Sequence, residues 1–144
     1  MKPITTFNQL TEHLTTLCKR KRVVAVCPND AHSEYAIKRA VEEGFASFLL
    51  VGDARLLHSY TELSIYSDNI EIIDIPDSDE AAREAVRLVR SGKADILMKG
   101  LVDTSVVLKA VLNKELSLRT GNPISHAAVV EIPGYDRLMF VTDA

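Results

Sequence analysis

Apolar positions along this chain alternate between two periods. Phe7, Leu10, Leu14 and Leu17 recur every three or four residues, as on one face of an amphipathic helix. The compact apolar run Val23 to Cys27 that follows reads as a strand. From Ser33 to Glu43 the positions Tyr35, Ala36, Ala40 and Val41 again fit a helix, with Gly44 placed to end it in a left-handed cap. Ser47 to Val51 predicts the next strand, stopped by Gly52 and Asp53. A short helix is expected around Ala54 to Tyr60, and Ile70 to Ile75 is a β-rich run closed by Pro76. Asp77 or Ser78 then caps a helix with Glu80 and Glu84 in its early turns and Ala82, Val86 and Val89 on its apolar face, terminated by Gly92. Ile96 to Met98 predicts a fourth strand.

Short apolar strands separated by helical patterns are what a parallel sheet covered on both faces requires. The expected fold class is α/β: a three-layer α/β/α domain with a mostly parallel sheet. The last third departs from this rhythm. A helix from about Thr104 to Lys114 leads into an irregular polar segment, Leu116 to Ser125. Two apolar strands follow, Ala127 to Ile132 and Leu138 to Thr142, joined through Pro133, Gly134, Tyr135 and Asp136. This is a hairpin, expected as an antiparallel edge on the parallel sheet. With no repeat, low-complexity tract or linker, residues 1–144 are expected to form a single α/β domain. Phe140 to Asp143 reads as a strand end, where open α/β sheets place their ligands, and the natural polypeptide is expected to continue past Ala144.

Composition narrows the partners. Hydrophobic residues make up 47% of the chain and charged residues 26%, which argues against disorder. The longest apolar stretches, such as Phe48 to Val51, fall far short of the ~20 residues a membrane helix needs, and the polar start Met1 to Gln9 lacks the apolar core of a secretory signal. Neither membrane nor nucleic acid is expected as a partner, the latter because a net charge of -3 supplies no basic surplus, and the expected location is cytoplasmic. The basic run Lys19 to Arg22 is expected to close the first helix, where cations complement the carbonyl end. Cys18 and Cys27 lack metal or redox spacing and read as reduced thiols without a chemical role.

Lys99, Gly100, Leu101, Val102, Asp103, Thr104 and Ser105 form the sharpest local constellation, joining a strand's carboxyl end to a helix's amino end. Gly100 would let the backbone approach a ligand, the helix-start amides attract an anion, and Lys99 and Thr104 add a charge and a hydroxyl. It is neither a P-loop nor a Gly-x-Gly-x-x-Gly turn, and Asp103 or Thr104 serves equally as a plain N-cap. Arg119, Thr120, Gly121, Asn122, Pro123, Ile124, Ser125 and His126 form a second constellation, in which a guanidinium and several donors suit a phosphate or a carbonyl oxygen. The same residues also make an ordinary surface loop. His126 can open a strand or act as a base, His32 reads as part of a turn and cap, and Asp143 can orient a partner, accept a proton or simply form a turn. No zinc spacing, nucleophile elbow or triad is present.

Met98 to Thr104, Val111 to Glu115, Leu118 to Gly121, Ser125-His126 and Asp136 to Asp143 together closely resemble the phosphate butyryltransferases, in order and in spacing. Val23 to Val26, Leu50 to Asp53 and Ser91 to Asp95 look like the same family, so the resemblance covers nearly the whole chain. It implies the fold of one domain of the isocitrate and isopropylmalate dehydrogenase group, with this chain as the amino-terminal part of a longer two-domain enzyme. The implied reaction converts acyl-CoA and phosphate to acyl phosphate and coenzyme A. No cofactor is implied, coenzyme A being carried by the substrate thioester, and a homo-oligomer is expected of the full-length protein. Lys99, Gly100 and Thr104 would line the phosphate side. Arg119, Thr120, Gly121, Ser125 and His126 would shape the cleft near the thioester, with His126 and Asp143 as catalytic candidates and Asp143 at the rim. The Ser-Arg pair and following Asp that related phosphate acetyltransferases carry near their carboxyl terminus have no counterpart before Ala144. Two readings compete on the same scaffold: phosphate acetyltransferase, and a non-catalytic anion- or CoA-binding regulatory domain. A hydroxy-acid dehydrogenase would need a divalent metal, for which Asp95, Asp103 and Asp143 are the nearby candidates without ligand spacing.

Overall fold

The computed structural model describes residues 3–17, 19–60, 68–116 and 118–142. Cys18 and Asp143 lie outside the described residues. The elements in chain order are α1 (Phe7–Thr16), β1 (Lys21–Val26), α2 (Ala31–Glu42), β2 (Ala46–Gly52), β3 (Ile70–Asp74), α3 (Ser78–Arg90), β4 (Ile96–Lys99), α4 (Thr104–Leu112), β5 (Ala127–Val130) and β6 (Met139–Thr142). Contacts divide them into two compact units, one of residues 20–119 and one combining residues 1–19 with 120–144.

In the first unit, four strands form a sheet in the order β3-β2-β1-β4, every neighbouring pair parallel. Alternation along the strands builds two cores. Val23, Ala25, Phe48 and Leu50 point to one face and bury Ile37, Ala40 and Val41 of α2. Val24, Val26, Leu49 and Val51 point to the other and bury Ala81, Ala82, Ala85 and Val86 of α3 with Ala110 of α4. This is the expected three-layer α/β/α arrangement with a mainly parallel sheet. Residues buried on both faces explain why these strands read as unbroken apolar runs.

Two local expectations are corrected. The basic run does not close α1, which ends at Thr16 with Leu17 as its cap, so Lys21 and Arg22 open β1 instead. There Lys21 approaches Asp95 at 3.7 Å and Arg22 pairs with Glu71 at 2.8 Å, tying the amino end of β1 to the residue before β4 and, across β2, to β3. The helix expected at Ala54 to Tyr60 is a turn followed by a short 3₁₀ stretch at 58–60. The amides of Leu56 and Leu57 converge on the Asp53 carbonyl, which buries Leu57 against the α2 face of the sheet.

The second unit holds α1 and an antiparallel pair, β5 with β6. The hairpin is therefore not an edge of the parallel sheet but a two-stranded sheet of its own. Its connection runs through Ile132 to Tyr135, where the Tyr135 amide donates to the Ile132 carbonyl at 3.0 Å. Pro133 fixes the first inner position, and Gly134 at φ 87° supplies the left-handed second one that a type II turn demands. Within this unit the Phe7 amide donates to the Glu131 carboxylate at 2.7 Å.

Candidate functional site

β1 and β4 lie side by side, yet the chain leaves them for opposite faces, entering α2 after β1 and α4 after β4. A strand order that reverses in this way opens a crevice beyond the carboxyl ends of the two strands, where open α/β sheets bind ligands. The loops meeting there are residues 27–30 and 99–103.

The loop after β1 is held internally. Cys27 adopts φ 48°, and its amide still reaches the Val51 carbonyl of β2 at 2.8 Å. The buried hydroxyl of Tyr60 donates to the Pro28 carbonyl at 2.7 Å. Burial and the negative charge of Asp77 push the Cys27 thiol up, which keeps it protonated and a poor nucleophile at neutral pH. Asp30 caps α2, accepting from the amides of His32 and Ser33 and from the Ser33 hydroxyl. These bonds, the Ser33 hydroxyl foremost, hold its carboxyl below the ordinary range.

The loop after β4 leans on the first. The amides of Gly100 and Leu101 donate to the carbonyls of Val26 and Cys27 at 2.9 and 2.8 Å. A Cβ on Gly100 would stand 2.6 Å from both the Cys27 oxygen and the Pro28 Cα. The close approach that this glycine permits is thus to the backbone of the neighbouring loop, in place of the ligand expected from the sequence. Lys99 turns back on its own loop, its Nζ donating to the carbonyls of Val102 at 2.8 Å and Gly100 at 3.3 Å. Asp103 is the N-cap of α4 but makes no side-chain bond to the helix amides, and Thr104 is the first helical residue.

A cavity of about 510 Å³ opens here, lined by Ser78, Lys99, Leu101, Val102, Asp103 and Val106. An ammonium, a carboxylate and a hydroxyl thus share a rim with apolar side chains, a mixture suited to a polar ligand with an apolar arm. The sequence offers Ser78 only as a possible cap. Asp77 takes that role through the Glu80 amide, so Ser78 is left to line the cavity. The signal for it was present: every loop following a parallel strand's carboxyl end emerges on the same side of the sheet.

Lys99, Gly100 and Thr104 thus come together at one strand-to-helix junction. Arg119 ends the same unit as an exposed residue. Thr120, Gly121, Ser125 and His126 belong to the other unit and are exposed in its irregular segment. The His126 carbonyl accepts from the Thr142 hydroxyl at 2.8 Å, fixing where β5 begins against β6. Among the described residues, no three or more His, Cys, Asp or Glu side chains gather into a metal-binding group.

No family model matches the chain. It is 46% identical over 139 residues to the phosphate butyryltransferase of Clostridium beijerinckii, covering 96% of this chain and 46% of that protein. It is 44% identical over 126 residues to the probable phosphate butyryltransferase of Bacillus subtilis, covering 88% and 42%. The chain is thus homologous, over most of its length, to proteins named phosphate butyryltransferase. More distant relatives, between 27% and 35% identical, are named phosphate acetyltransferase. The fold agrees: a branched-chain phosphotransacylase from Enterococcus faecalis superposes with a TM-score of 0.66 at 26% identity, over 85% of this chain and 42% of that one. The chain spans about half the length of the curated relatives it matches.

Proposed function

We propose that the protein transfers a short acyl group between coenzyme A and inorganic phosphate. The supporting observation is the 46% identity to a phosphate butyryltransferase across 96% of this chain, which includes the whole 99–104 junction. A phosphate oxygen attacks the thioester carbonyl, a carbon–oxygen bond forms as the carbon–sulfur bond breaks, and coenzyme A leaves as a thiolate that takes up a proton. Electrons balance without an oxidant or reductant, so the reaction as written needs no redox cofactor.

In this reading Lys99, Gly100 and Thr104 serve the phosphate side, because a cation and helix-start amides stabilise an anion. Arg119, Thr120, Gly121 and Ser125 serve the acyl-CoA side, and His126 and Asp143 are the candidates for handling the thiol proton. Butyryl is preferred to acetyl because the relatives at 44–46% identity bear the butyryl name. We place the reaction in the cytoplasm, where its coenzyme A substrate resides.

The test is thiol release from butyryl-CoA by the purified protein. Release that depends on added phosphate and yields butyryl phosphate supports the reading. Phosphate-independent release would sink it in favour of thioester hydrolysis, and no release from either butyryl- or acetyl-CoA would sink it in favour of a non-catalytic binding domain.

A further inference from the structure

The loop of residues 99–103 is held by different groups on its two sides. Its inner side is fixed to β1 by the Gly100 and Leu101 amides, and Gly100 packs with no room for a side chain against Cys27 and Pro28. On the cavity side the stabilising groups are different. The Gly100 and Val102 carbonyls both receive the Lys99 ammonium, while the Val102 amide returns to the Gly100 carbonyl at 3.0 Å. The cap that would ordinarily set how α4 begins is missing, since the Asp103 carboxylate makes no bond to the helix amides. Thr6, Asp30 and Asp77 all make such bonds at the other three helices. The conformation leading into Thr104 is thus left to the loop itself.

We propose that Lys99 is a positioning residue, whose ammonium staples the Gly100 and Val102 carbonyls and so sets the entry of α4 at Thr104 and the side chain of Asp103 at the cavity. The inference rests on the phosphate-acyltransfer reading and deepens it: Lys99 acts on phosphate through the shape of this loop. An ammonium is suited to the task. It carries three donors and no acceptor, and hydrogen bonds from a charged donor are stronger than neutral ones. Two of the three donors are engaged by the loop carbonyls, which fixes the ammonium to the loop.

The deciding measurement is hydrogen exchange of the peptide spanning residues 100–106, without substrate, in wild type, Lys99→Met and Lys99→Arg. Lys99 is exposed, so neither change threatens the core. Lys99→Met is expected to speed exchange about tenfold, the scale of one or two net hydrogen bonds from a charged donor. Lys99→Arg keeps a cation able to bridge two carbonyls and should stay within about threefold of wild type. The Michaelis constant for phosphate should follow the same order, rising about tenfold in Lys99→Met and much less in Lys99→Arg. A raised Michaelis constant with unchanged exchange in Lys99→Met would overturn the positioning role in favour of direct ligation. Faster exchange with an unaltered Michaelis constant would overturn it as well, reducing the staple to a structural bond. Absence of acyl transfer by the wild type would sink the reaction reading instead, and the exchange data would then decide the staple alone.

Discussion

A methyl group at position 100 has nowhere to go. The atoms it would meet, the Cys27 oxygen, Pro28 Cα and Val26 oxygen, are all backbone and sit 2.6 to 2.7 Å away, so no rotamer change relieves the clash. Gly100→Ala is expected to cost about 1–3 kcal/mol, as other overpacked positions do, read as a lower denaturant midpoint with unchanged slope. An unaltered midpoint would show that β4 can part from β1 freely. Lys99, Gly100 and Thr104 were legible as a cluster because they are nearly consecutive at a strand-to-helix junction. What they touch was not legible. Cys27 and Pro28 reach Gly100 through sheet pairing, and the folding back of Lys99 onto its own carbonyls leaves no trace in residue spacing.

Elements were legible in proportion to burial. β1, β2 and α3 carry most of the fully buried positions, and their apolar runs located them to within a residue or two. The hairpin was found but assigned to the wrong sheet, because short apolar strands state their period and not their neighbour, and β6 exposes all four of its residues. α2 offers a test of its cap. Asp30 is held below its ordinary range by the Ser33 hydroxyl and the amides it caps. A depressed carboxyl contributes stability that is present above its unfolded value, about 3.9, and lost as pH falls through the folded one. The stability gap between wild type and Asp30→Asn should therefore shrink on acidification from about pH 7 to about pH 2, followed by urea unfolding. A gap of the same size at both ends would show that the ionised carboxylate adds nothing over a neutral cap.

Across the whole molecule, the division into two units was not expected from the sequence, because no linker composition marks residues 19–20 or 119–120. Hydropathy reports burial, and contact between distant segments leaves no such mark. The irregular stretch 119–126 is exposed throughout and lies in no helix or strand. Limited trypsin digestion should cut after Arg119 before it cuts within β1 to β4, as peptide mass mapping would show. Earlier cleavage after Arg22 would mean that the sheet opens more readily than this segment.

The reversal of strand order also has a temporal side. β1 is made first but sits inside the sheet, and its β4 neighbour comes far later: Arg22 and Asp95, bonded across that seam, are 73 positions apart. During synthesis β1, β2 and β3 can pair as they emerge, while one flank of β1 stays open until residues 96–99 leave the ribosome. The 27–30 loop therefore waits, half-walled, for its counterpart, and the crevice is born only in the last step of sheet assembly.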